Sequence, residues 1–102
     1  MAEARPVARL KHKLTKENLW LYVLSVLRRK KVYAYGLGEE MEKAFGWSHG
    51  LITSYVVLYK LEAEGLISSE YEERRTYYRI TKKGERALAE AKRYLKGLAG
   101  RL

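Results

Sequence analysis

Two β-prone runs, Leu66–Tyr71 and Thr76–Ile80, stand either side of four charged residues, Glu72, Glu73, Arg74 and Arg75. Elsewhere the longer apolar patterns have the period of a helix. The pair predicts a single hairpin in a chain that is otherwise helical. Its turn is unusual. Hairpin turns favour Gly, Asn or Asp, which tolerate positive φ, and nothing about a turn demands guanidinium groups. Arg74 and Arg75 are therefore either solvated charges paired with Glu72 and Glu73, or cations aimed at something negative.

Around the hairpin the chain reads as helices with local stop signals. Thr15 suits the N-cap of a helix over about residues 16–30, with Glu17 at the positive end of its dipole. Within it LWLYVLSVL is apolar almost all round and needs cover on two sides, one of which a second subunit would supply. After Arg28-Arg29-Lys30-Lys31 comes a short extended piece, VYAYG. A helix over about 37–45 follows, with Leu37, Met41 and Phe45 at i, i+4 and i+8, and Gly46 is placed to end it in left-handed geometry. Ser48 is expected to cap a helix over about 49–64 that stops at Gly65. Leu51, Tyr55, Leu58 and Glu62 share one side of it, flanked by Tyr59 and Leu61, with Thr53, Val56, Val57, Lys60 and Glu64 opposite. Thr81 caps a last helix through about residue 99, where Leu88, Ala91, Leu95, Leu98 and Leu102 recur at 3-4 spacing beside Ala87 and Tyr94.

Two short helices joined by the FGWSHG turn and followed by a hairpin make a winged helix-turn-helix. The expected fold is mainly α with a small antiparallel β-wing (α+β), carrying N- and C-terminal dimerisation helices. Residues 1–13, with four basic residues and the only proline, Pro6, read as a basic flexible arm. Residues 14–81 form the winged domain and 82–102 the C-terminal dimerisation helix. The dimer seam is assigned to Trp20, Leu24, Leu88, Ala91, Tyr94, Leu95 and Leu98.

Lys and Arg number 21 against 12 carboxylates, all Glu, for a net charge of +9 in 102 residues. Such a balance favours polyanions, though a plain solubility surplus has the same signature. The chain has no Cys and no Asp, and His12 and His49 are far apart, so a metal site or a Ser-His-Asp arrangement lacks raw material. Neither a cofactor motif nor an enzyme is indicated. The longest apolar run is too short to span a membrane, the basic N-terminus has no apolar segment behind it and does not read as a secretory signal, and the lack of Cys fits a reducing cytoplasm. One Asn, no Gln and abundant Lys and Glu follow the pattern of heat-loving sources.

The residues also resemble a family. Residues 53–67, TSYVVLYKLEAEGLI, resemble the T-x-Y-x-x-L-x-x-L-E-x-x-G-L-I signature of PadR-type transcriptional regulators. Residues 75–84, RTYYRITKKG, are similar to that family's R-x-x-Y-x-[IL]-T-x-x-G passage from wing to last helix. Tyr33-Ala34-Tyr35-Gly36-Leu37 is similar to its Y-G-Y-E-I, with Ala34 and Gly36 as departures. Ile52 and Val56 stand where family members often have Gly and Pro. The L-E-x-x-G-L-I element alone also occurs in MarR- and ArsR-type proteins, so the combination carries the resemblance. It implies a homodimeric DNA-binding repressor whose last helix mediates dimerisation.

In a helix-turn-helix the second helix presents its N-terminal residues and outer face to the major groove. Ser48, His49, Thr53, Ser54, Val57 and Lys60 are the candidates there. Arg74 and Arg75 fall where a wing tip reaches the minor groove or flanking phosphates. Lys82 and Lys83 begin the helix behind it, where lysines oppose the dipole and local stability does not explain them. Tyr35 is a candidate phosphate donor; Tyr55 is assigned by helical phase to the core. With few polar readers, modest direct readout is expected beside phosphate and shape recognition. Two other readings fit: a winged helix that docks on proteins, and a non-specific chromatin-type DNA-binding protein. A small-molecule effector lodged among Trp20, Tyr22 and Tyr94 is possible but unsupported, and plain core explains those residues more simply.

Overall fold

The computed structural model describes residues 2–102. Its first helix, α1 (Arg5–Thr15), replaces the flexible arm expected over residues 1–13. Pro6 lies in the first turn, where its missing N–H has no partner to lose. Val7, Leu10 and Leu14 recur at i, i+3 and i+7 with Arg9 and Lys13 turned elsewhere, so the basic residues that suggested an arm belong to an amphipathic helix. The whole of α1 is solvent-exposed apart from Thr15. Thr15 does not cap the next helix. Its hydroxyl donates to the Lys11 carbonyl at 2.8 Å, and the chain passes through a 3₁₀ turn, Lys16–Asn18, into α2 (Leu19–Arg29).

The apolar α2 is the centre of the domain. Val23, Leu24, Val26 and Leu27 are buried, and Leu37 and Met41 of α3 (Ala34–Phe45), Leu58 and Leu61 of α4 (Leu51–Ala63), and Leu88 of α5 (Lys82–Arg101) close round them. Tyr22 packs edge-on against Phe45 and Trp47, with centroids 5.0 and 4.9 Å away. Its hydroxyl donates to the Leu14 carbonyl at 2.7 Å and so ties α1 to the core.

Between α2 and α3 lies β1 (Val32–Tyr33), and after α4 come β2 (Ile67–Glu72) and β3 (Arg75–Ile80). They form an antiparallel sheet in the order β1-β3-β2, with Val32 opposite Tyr78 and Ile67 opposite Ile80. Gly46 (φ +75°) and Gly65 (φ +75°) end α3 and α4 in left-handed geometry, as their positions predict. Thr81 caps α5 through a 3.1 Å bond from the Gly84 amide to its hydroxyl. Ser48 does not cap α4. Gly50 occupies that position, and the Ser48 hydroxyl donates instead to the His49 carbonyl at 3.3 Å.

Two residues assigned to a dimer seam belong to the domain's own core. Leu24 and Leu88 are buried within the chain. Trp20 and Ala91 are half-buried. Beyond them α5 leaves the domain: Tyr94, Leu95, Leu98 and Leu102 are all exposed.

Candidate nucleic-acid interface

Gly46 turns the chain out of α3, and Trp47–Gly50 lead directly into α4, so the two helices pack as a helix-turn-helix with α4 second. The phase of α4 differs from the sequence reading. Ser54, Leu58 and Leu61 face the core and Tyr55 faces outward. Ser54 is buried because its hydroxyl meets His49 Nε2 at 2.8 Å; it locks the turn and is not available to a groove. Val57 is half-buried against the core. Thr53 and Lys60 are exposed as expected. Beside them the outer face carries Ile52 (81% exposed), Val56 (48%) and Tyr59 (76%).

His49 is half-buried in the turn, and its Nδ1 has no hydrogen-bond partner. Burial, helped by the nearby Lys16 ammonium, holds its pKa below the usual histidine value. A histidine that is harder to protonate when folded stabilises the fold fully above its unfolded pKa of about 6.5, and that contribution is lost as pH falls. The paired carboxylate of Glu40, held low chiefly by its hydrogen bond to Lys30, loses its contribution only below the ordinary carboxylate range. Melting temperature should therefore fall between pH 7 and pH 5, and this part of the slope should flatten in His49→Asn. An unchanged slope would show that His49 does not carry it.

The wing tip is a two-residue turn in which Glu73 (φ 49°) and Arg74 (φ 68°) both adopt left-handed backbone. This is the geometry that normally selects Asn-Gly, and it costs on the order of 1 kcal/mol for each such residue. The alternative pairing of these arginines with Glu72 and Glu73 does not form. Glu72 is taken by Lys31, and Glu70 by Arg79 at 2.5 Å. Among the described residues no carboxylate pairs with Arg74 or Arg75. The Arg75 guanidinium instead lies over the Tyr33 ring, 4.5 Å from its centroid. With Tyr35, Tyr55 and Tyr78, these three residues line a hollow of about 250 Å³ between the wing, the start of α3 and α4. Tyr35, at the start of α3, is exposed.

Of the two lysines behind the wing, Lys82 is exposed. Lys83 donates to the Glu64 carbonyl at 2.8 Å, satisfying an orphan acceptor at the end of α4. Its place at a helix N-terminus therefore has a structural cause. The aromatic residues proposed for an effector do not meet. Tyr22 lies in the aromatic cluster under α3, and Tyr94 stands on the projecting part of α5. Trp20 lines a groove of about 470 Å³ with Val56, Val57, Lys60, Leu61 and Ala87.

The family model described as Transcriptional regulator PadR-like family matches residues 23–90. The chain belongs to the PadR-like family of transcriptional regulators. Among solved structures it is similar to a PadR family transcriptional regulator from Eggerthella lenta DSM 2243, at 31% identity over 92% of this chain and 86% of that one, with a TM-score of 0.78. A transcriptional regulator from Clostridium thermocellum matches at 26% identity over 88% and 97%, with a TM-score of 0.72. Bacillus subtilis PadR, solved in complex with operator DNA, matches at 24% over 72% and 46%, with a TM-score of 0.66. No curated protein matches the chain.

In this PadR-like regulator the residues that carry the family resemblance form one structural joint. The Thr81 hydroxyl donates to the Gly65 carbonyl at 2.7 Å while the Thr81 amide donates to the Leu66 carbonyl at 3.1 Å. Gly84 lies so close to Leu66 that a Cβ there would fall 2.0 Å from its carbonyl oxygen. The end of α4, the base of the wing and the start of α5 are thereby held in register. The outward residues Ile52, Tyr55 and Tyr59 were not among the sequence-derived candidates. Their only signal is that α4 is apolar on every side, more than a one-sided core contact needs.

Proposed function

We propose that this PadR-like regulator is a homodimeric DNA-binding repressor that occupies a pseudo-palindromic operator, with half-sites about one or two helical turns apart. In this reading α4 enters the major groove, and Arg74 and Arg75 reach flanking phosphates or the minor groove, with Tyr35 in the same hollow and Lys82 at the far end of β3. Two arginines without carboxylates, held at a strained turn beside the outward face of α4, carry the proposal; the net charge of +9 supports it. The Bacillus subtilis relative, solved in complex with operator DNA, supports DNA as the partner. Exposed Tyr94, Leu95, Leu98 and Leu102 favour a second copy as the partner of α5. Repression follows if the bound dimer blocks access to the duplex, and a cytoplasmic location is part of this reading.

Replacing Arg74 and Arg75 together by alanine tests the wing. Binding should weaken on every duplex sequence, and the slope of log K against log salt should become shallower by about 0.9 for each phosphate that the wing no longer neutralises. An unchanged slope would remove the wing from the interface.

A further inference from the structure

The outward face of α4 offers few hydrogen-bonding readers, Thr53, Lys60 and the Tyr55 and Tyr59 hydroxyls, beside a continuous apolar strip. Ile52, Val56 and Tyr59 sit at i, i+4 and i+7, opposite the buried Ser54, Leu58 and Leu61, and no carboxylate, amide or arginine occurs between Leu51 and Lys60. An apolar strip left in water at the centre of a basic surface calls for an apolar partner. Its surroundings restrict the choice. Lys60 lies on the same helix and Arg74 and Arg75 share a hollow with the adjoining Tyr55, while the neighbouring groove beside Val56 sets Lys16 and Lys60 against Glu17 and Glu64. A second copy, with the same charge of +9, would be repelled by that rim, whereas a duplex is attracted to it. In the major groove the only apolar group on a base edge is the thymine C5-methyl.

We infer that α4 selects its operator through thymine methyl groups, with Ile52 and Val56 as the specificity-determining side chains and Tyr59 extending the strip. The inference rests on the DNA-binding reading above. The strip from Ile52 to Tyr59 is about 10 Å long, enough for roughly three base pairs. The half-site it takes is therefore a thymine-rich step of that length rather than a guanine-centred one.

The test uses a duplex enriched from a random pool by the wild-type protein, then remade with deoxyuridine for thymidine, which removes only the methyl. Fluorescence anisotropy should show at least tenfold weaker binding to the fully substituted duplex, and about fourfold for each contacted position replaced singly. The salt slope should be the same for both duplexes, because no phosphate contact changes. Ile52→Ser/Val56→Ser should bind the two duplexes equally; both side chains are exposed, so the variant keeps its core. Wild-type protein that binds both duplexes with equal affinity would overturn the inference while leaving the proposed function intact. So would a changed mass for the variant in light scattering, which would assign the strip to an interface between copies. Failure to bind any duplex would overturn both readings.

Discussion

Gly84→Ala is expected to destabilise the protein more than any other single-methyl change. Its Cβ would lie 2.0 Å from the Leu66 carbonyl oxygen and 2.7 Å from Ile80 Cγ1. Neither obstacle is the free end of a flexible chain. Leu66 O already accepts from the Thr81 amide, and Ile80 pairs with Ile67 at the base of the wing. The new methyl must therefore push α5 off the hairpin, breaking the Thr81 cap or the strand register. Overpacking of this kind costs on the order of 3 kcal/mol, while alanine's better helix propensity returns about 1 kcal/mol. For a domain of this size a net loss of about 2 kcal/mol lowers the melting temperature by roughly 8–16 °C. Gly97→Ala provides the contrast. Nothing lies within 4 Å of its Cβ, so the propensity gain stands alone within one chain. Equal melting temperatures for the two variants would refute the tight joint.

The second large effect concerns α5 beyond the domain. In the proposed dimer Leu95→Glu/Leu98→Glu places two carboxylates on the exposed α5 face of each chain, four at the twofold interface. Burying each leucine there is worth about 1.5–3 kcal/mol, and an unpaired charge in its place adds a desolvation cost. The dimer dissociation constant should rise by more than about 10³-fold, giving monomers in light scattering at micromolar concentration. Far-ultraviolet circular dichroism should be nearly unchanged, because neither residue is part of the buried core. A variant that keeps the mass of two chains would show that α5 is not the seam.

Features set by a few neighbouring residues were legible in the sequence. The helix stops at Gly46 and Gly65, the Thr81 cap and the hairpin over 66–80 depend on local backbone chemistry, and the structure bears them out. The phase of α4 was not legible. Apolar residues on every side leave no amphipathic contrast to choose among, and the observed phase buries Leu58 and Leu61 against α2 and α3, contacts that only the fold supplies. Residues 5–15 were misread because their dense positive charge hid the 3-4 spacing of Val7, Leu10 and Leu14. Lys83 shows the same limit from another side. Its partner, the Glu64 carbonyl, is nineteen residues away, and only the fold brings the two together. The cap roles expected of Thr15 and Ser48 failed because both helices start later, after a 3₁₀ turn in one case and at Gly50 in the other.

A sedimentation titration of the protein against a labelled palindromic duplex, repeated at rising salt, tests the proposed complex most directly. Two chains per duplex are predicted, with an affinity that falls steeply as salt increases. One chain per duplex, or no complex at about 50 mM salt, would contradict it.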